Sequence, residues 1–219
     1  MDCNASAVGR EGIEMGFRLT GVETLFPIPL FRYQIDDAAL NGTLSKEISK
    51  RRKAESGMAN SNRLGWQSEH DFFGRKETGH VSLARTIAQV VRETLLAIDP
   101  SVDFAKLNVT MNGWVNVNPP GGYNGPHQHT NAVLSGVYYV EVPRGPSEKG
   151  GAIEFLSPHP VRLLGGLLKA PMFAERMRVQ PEAGDMLLFP GQLPHWVHPN
   201  DSGKSRVTIA FNAMVKAKR

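Results

Sequence analysis

Leu107–Asn118 reads LNVTMNGWVNVN, and its period decides how the rest of the chain is read. Leu107, Val109, Met111, Val115 and Val117 alternate with Asn108, Thr110, Asn112, Trp114, Asn116 and Asn118. A period of two is that of an extended strand, whose successive side chains leave opposite faces of a sheet, here one apolar and buried and one polar. A helix would instead repeat its apolar residues every three or four positions. That pattern does occur upstream: Leu40, Leu44 and Ile48 follow the start signals Asp36 and Asp37, and Leu83, Ile87, Val90, Val91 and Leu95 make a second stripe between Ser82 and Ile98. Both helices read as scaffold.

Downstream the strand pattern continues in AVLSGVYYVEV (132–142), GAIEF (151–155), DMLLFP (185–190), HWVHP (195–199) and SRVTIAFNAMV (205–215), each bounded by Gly, Pro, Asn or Asp. Upstream, VETLFPIPLFRYQI is broken by Pro27 and Pro29, which predicts an edge strand. Helices followed by many short strands predict an α+β chain, mainly β, with a sandwich or barrel body and the helices on one outer face. Residues 1–20 read as a flexible N-terminal extension and 21–219 as a single domain. The stretch 157–184, containing LLGGLLKAPMFAERM, reads as a long insertion, either a lid or a short packed helix.

The 219 residues are 41% hydrophobic, enough for one core. Cys3 is the only cysteine, so no disulfide framework is expected, and a reducing, cytoplasmic setting follows. No apolar run has the length of a membrane span or a secretion signal, so no membrane partner is expected. The net charge of +4 gathers in KRRK (50–53) and KAKR (216–219), a helix end and a tail. No basic run is interleaved with stacking aromatics, so no nucleic acid partner is expected. An edge strand or helix could serve a homodimer, but nothing in the sequence selects one.

The chemistry gathers in GGYNGPHQHTNAVLSGVYYV (121–140). His127 and His129, at i and i+2 on a strand, would leave the same face and could share a metal ion. His195, on a later strand, would complete three ligands, with His198 turned to the other face. If the chain reverses at Asn200–Lys204 and Pro199 pairs with Arg206, then His195 and Arg206 share a face about 13 Å apart, at roughly 3.3 Å per residue. Such a gap suits an arginine gripping one end of a small dicarboxylate whose other end meets the metal. Arg206, Thr208 and Asn212 alternate with Val207, Ile209 and Phe211, which turns the polar face of that strand into a cavity.

The order His127, His129, LSGVYYV, GDMLLFP, His195 and RVTIAFN resembles the double-stranded β-helix (jelly-roll, cupin-like) core of the iron(II)- and 2-oxoglutarate-dependent oxygenases. ETLFPIPLF, SNRLGWQS and WVNVNPPGGYNGPHQHTNAVLSGVYYV further resemble a bacterial and phage subfamily of that type, over about Val22 to Val215. The resemblance implies a dioxygenase using Fe(II), O2 and 2-oxoglutarate as cosubstrate, and hydroxylating a C–H bond. It implies iron on His127 and His195, the distal carboxylate of 2-oxoglutarate on Arg206, support from Thr208, and a contribution from Tyr139.

The broader family has HxD where this chain has His129. His129 is expected as a third neutral ligand; the alternatives are that it turns away, leaving room for water or an anion, or that the site takes another metal such as zinc. Glu154 reads as structural or substrate-facing. Trp114, Asn116 and Asn118, with Asn112, suggest a hydrogen-bonding pocket for an amino acid, a peptide or another small polar molecule. Two other classes compete: a cupin-like three-histidine enzyme, dioxygenase or isomerase, that does not use 2-oxoglutarate, and a binding module that keeps only the scaffold. Arg206 discriminates against the first, because a cupin of that sort needs no carboxylate clamp there.

Overall fold

The structure, a computed structural model, describes residues 26–58, 60–158 and 174–218. The expected N-terminal extension lies outside them, as does most of the insertion, at 159–173. The chain runs through β1 (Phe31–Gln34), α1 (Ala38–Ala54), β2 (Asn62–Arg63), β3 (Trp66–Gln67), a 3-10 turn (Phe72–Gly74), α2 (Thr78–Ile98), β4 (Leu107–Asn118), β5 (Tyr123–His127), β6 (Leu134–Glu141), β7 (Ile153–Leu156), β8 (Arg176–Val179), β9 (Asp185–Pro190), β10 (His195–Val197) and β11 (Arg206–Ala217). The strands form two antiparallel sheets, ordered β1-β9-β6-β11-β4-β3 and β2-β5-β10-β7-β8. This is the double-stranded β-helix, with α1 and α2 on one side.

Alternation explains the layers. Tyr138 and Val140 of β6, Met186 and Leu188 of β9, and Val207, Ile209 and Phe211 of β11 meet Leu44 and Ile48 of α1 and Leu83, Ile87 and Val91 of α2. Their neighbours Val137, Tyr139, Leu187 and Phe189 turn the other way and meet Ile153 and Phe155 of the second sheet. The core therefore has two storeys: one between the helices and the larger sheet, and one between the sheets. Truncating a fully buried side chain such as Ile209 to Ala would cost about 2–5 kcal/mol.

The strand at 107–118, the edge position of β1 and both helices stand as expected, although α2 begins four residues earlier than its apolar stripe, because Glu47 of α1 accepts hydrogen bonds from the Gly79 and His80 amides. On the polar face of β4, Trp114, Asn116 and Asn118 are buried, because that face looks into the space between the sheets. Two expectations change. The stretch 157–184, expected as a lid or a short packed helix, carries a strand near its end, where β8 pairs with β7. The proposed pairing across Asn200–Lys204 is absent: β10 pairs with β5 and β7, whereas β11 pairs with β4 and β6. The turn is instead closed on itself by Asn200, whose Nδ2 donates to the Lys204 carbonyl, and it carries the chain from one sheet to the other.

Candidate metal and cosubstrate site

His127 and His195 are register partners on the neighbouring strands β5 and β10, so antiparallel pairing alone brings their rings to 4.4 Å between centroids. His129 reaches the same place by another route. It lies beyond the end of β5, and its amide donates to the Gly191 carbonyl at 2.7 Å. A Cβ on Gly191 would stand 2.7 Å from the His129 oxygen and 2.4 Å from that of Ala132, so only glycine permits this approach. Strand geometry is thus not what brings the third imidazole in. The donor atoms of the three rings all lie within 4.8 Å of one another, a group that could hold a metal ion.

The rings are prepared for that task. His127 Nδ1 meets the Gly125 carbonyl at 2.7 Å, and His195 Nδ1 meets that of Leu193 at 2.8 Å. A carbonyl only accepts, so each Nδ1 carries the proton and each Nε2 keeps its lone pair for a metal. Burial holds the His195 ring down at about 3, helped by its neighbours His127 and His129. Burial, then His127 and His70, holds His129 at about 4, and burial also lowers His127 against the pull of the Gly125 carbonyl. Near neutral pH all three are neutral imidazoles, the form that a metal ion binds. Phe189 stands edge-on to His195 at 4.8 Å and fixes its plane.

Arg206 lines the same cavity from the other sheet. It is 2% exposed, yet its Nη1 makes only a long 3.5 Å bond to Asn118 Oδ1 and its Nε has no partner among the described residues. The guanidinium lies 5.2 Å from the centre of the Tyr139 ring. Burial depresses the arginine, with Tyr139 working the other way, and burial pushes Tyr139 up to about 12, so its hydroxyl stays protonated. Among the described residues that hydroxyl makes no hydrogen bond of good geometry, its polar neighbour being the Arg206 guanidinium. A fully buried cation beside an unsatisfied donor is costly unless an anion joins it.

Thr208, Trp114 and Asn116 line the cavity too. Asn118 does not: it faces Arg206 in the β4/β11 register, and hydrogen bonds to its neighbours consume its amide one layer behind the wall. Ser61 and Asn124 line the cavity without having been singled out; polar residues in a Gly/Pro-rich stretch give no periodic signal. His198 points away, as expected, and bonds Glu154, which is 1% exposed and also accepts from Arg178 and Trp196. Burial works to raise the Glu154 carboxyl, but these bonds outweigh it and hold it below its ordinary value. Glu154 is structural.

Residues 112–212 match the family described as "Putative 2OG-Fe(II) oxygenase". No curated protein matches the chain. Solved structures do. A prolyl-4-hydroxylase from Pseudomonas putida aligns at 18% identity over 84% of this chain and 91% of its own, with a TM-score of 0.59. A viral collagen prolyl hydroxylase from Paramecium Bursaria Chlorella virus-1, solved as a 2OG complex, aligns at 16% over 84% and 94%, with a TM-score of 0.54. A prolyl hydroxylase from Trichoplax adhaerens, in complex with a peptide fragment of hypoxia inducible factor, aligns at 13% over 84% and 79%, with a TM-score of 0.58. At these identities the structures establish the shared fold. The match over 112–212 bears out the family resemblance carried by His127, His129, His195 and the RVTIAFN strand.

Proposed function

We propose that this chain is an iron(II)- and 2-oxoglutarate-dependent oxygenase, a reading that the match over 112–212 supports, with a division of labour in its cavity: the imidazole wall holds the metal, the arginine wall holds the cosubstrate, and the space between admits a neutral polar substrate. The observation that carries it is Arg206, buried, without a carboxylate partner among the described residues, and open to the same cavity as three neutral imidazoles. A guanidinium matches a carboxylate with two parallel hydrogen bonds, and the distal carboxylate of 2-oxoglutarate is such a group. Thr208, two residues along the same face, adds a hydroxyl, and the Tyr139 ring keeps the guanidinium from turning away.

His127, His129 and His195 present ligands suited to iron(II), with Nε2 of His127 and His195 left free by their carbonyl bonds. Bound there, the metal supplies the chemistry that couples decarboxylation of the keto acid to oxidation of a C–H bond. The protein residues bind, orient and exclude water. Trp114, Asn116, Asn124 and Ser61 carry no charge, so the part of the substrate that enters is uncharged and hydrogen-bonding, as in a peptide or a polar small molecule. The peptide bound by the Trichoplax adhaerens protein on this fold supports that class. His129 serves as the third ligand in place of the usual aspartate, which leaves the metal site one negative charge short of that pattern.

Anaerobic titration of the iron(II)-loaded protein with 2-oxoglutarate tests the reading. A visible metal-to-ligand charge-transfer band is expected, and Arg206→Ala should abolish it while iron content stays unchanged. Bound iron with no band in the unaltered protein would instead favour a three-histidine enzyme that does not use 2-oxoglutarate. Among the described residues no helix is long and apolar enough to cross a membrane.

A further inference from the structure

Arg206 can only donate hydrogen bonds, and that fixes the orientation of a chain of amides behind it. Because Arg206 Nη1 points at Asn118, the Asn118 oxygen must face it, and the Asn118 Nδ2 then donates to Asn62 Oδ1 and Asn124 Oδ1, each at 3.3 Å. Asn62 in turn donates to Asn116 Oδ1 at 3.3 Å and to the Trp66 carbonyl at 3.2 Å. Each amide accepts on the side nearer the arginine and donates on the far side. At the end of one branch Asn116, with its oxygen occupied, has its Nδ2 to offer the cavity. The backbone oxygen of Asn118 is held as well, by Asn200 Nδ2 at 2.9 Å. On its other flank Arg206 is hemmed in by Gly151, at φ +68, where a Cβ would stand 3.2 Å from the arginine Cδ.

We infer that Asn118 is a positioning residue whose neutrality is its function: it orients the Arg206 guanidinium without neutralising it, and so reserves that charge for an incoming carboxylate. An aspartate is nearly the same shape. Placed here, its carboxylate would occupy the guanidinium permanently and compete with the cosubstrate. The relay also leaves Asn116 Nδ2 as a neutral donor toward the cavity.

The inference rests on Arg206 being the cosubstrate clamp, and the test separates the two. Thermal unfolding of the iron(II)-loaded, oxygen-free protein is followed over a 2-oxoglutarate titration. The unaltered protein should melt higher as ligand is added. Asn118→Asp should need at least about tenfold more 2-oxoglutarate for the same shift, because its carboxylate occupies the guanidinium, and like Asn118→Ala it loses the donations to Asn62 and Asn124. Asn118→Ala, which removes the bond and adds no charge, should melt lower without ligand and need only severalfold more 2-oxoglutarate. Equal responses of Asn118→Asp and the unaltered protein would overturn the inference and leave the clamp standing, as would equal losses of stability and affinity in the two variants. No response of the unaltered protein, matched by Arg206→Ala, would overturn the clamp and the inference together. If Asn118→Asp does not fold, an unchanged 2-oxoglutarate requirement in Asn118→Ala overturns the inference by itself.

Discussion

The two walls of the cavity are built by opposite means. On the imidazole wall, His127 and His195 are each oriented by a carbonyl two residues back along the chain. On the arginine wall, Arg206 is oriented by Asn118, 88 residues away, and Asn118 by Asn62, a further 56 away. A ligand that must keep one tautomer and one ring plane is served by a short, stiff local bond. A charge that must stay available is served by distant neutral groups, which hold it without cancelling it. The His127–His195 pair is therefore in place once β5 and β10 pair, whereas the arginine wall exists only when both sheets and the β2–β3 segment are assembled.

The strongest break to that comparison comes from His195→Ala. On the proposed assignment it removes a metal ligand and leaves the arginine wall intact, so iron binding should fall by more than the roughly 10–100-fold that loss of a ligand's orienting partner costs. Metal analysis after dialysis reads the loss, and circular dichroism should show the fold retained. Retention of a full iron equivalent would mean that His195 only packs against Phe189.

This asymmetry also governs what the sequence reveals. The period of two in β4 and the i, i+2 histidines are local signals, and they point to a strand that is present and to imidazoles whose donor atoms do come together within 4.8 Å. The route to His129 was wrong even so, since it comes in through Gly191 after the strand has ended. Arg206 and His195 were placed on one hairpin and belong to facing sheets, because alternation says which way a side chain points but not which sheet its strand joins. YNGPH of β5 has no apolar alternation, and β2 and β3 have two residues each, too few for any period. The amide relay could not be foreseen: nothing local in Asn62, Asn118 or Asn124 marks them as partners.

Acidification should expose the imidazole wall alone. Burial lowers the folded-state values of His195 and His129 to about 3 and about 4, against 6.5 in the unfolded chain. The unfolded chain therefore binds more protons within that window. The stability of the metal-free protein is complete above pH 6.5 and drains as pH falls toward 4, by about 1 kcal/mol per pH unit for each imidazole. Calorimetry of the metal-free protein should show this slope, and His195→Phe should make it shallower. An unchanged slope would mean that the rings are more solvated than their burial indicates.

Gly191→Ala probes the exception on the imidazole wall, since His129 is held by a residue 62 positions away and so resembles Arg206 in how it is placed. The added methyl has no room between the His129 and Ala132 oxygens, and the loop must move at a cost of about 1–3 kcal/mol. Iron affinity should fall less than in His195→Ala, because His127 and His195 keep their carbonyl bonds. Equal losses in the two variants would make His129 as essential as the anchored pair.

The smallest effect belongs to a local bond that serves neither wall. Asp37 Oδ1 accepts from the Leu40 amide at 2.8 Å and caps α1, whose Leu44 and Ile48 pack on the outer face of the larger sheet. Asp37→Ala should cost about 1 kcal/mol of stability, read by chemical denaturation. Iron content and 2-oxoglutarate response should not change, because β11 presents Ile209 to the helices and Thr208 to the cavity, and a frayed first turn of α1 loosens only the former face. A shift in 2-oxoglutarate affinity in this variant would show that the helix layer sets the position of β11. The arginine wall would then depend on three layers of the fold rather than two.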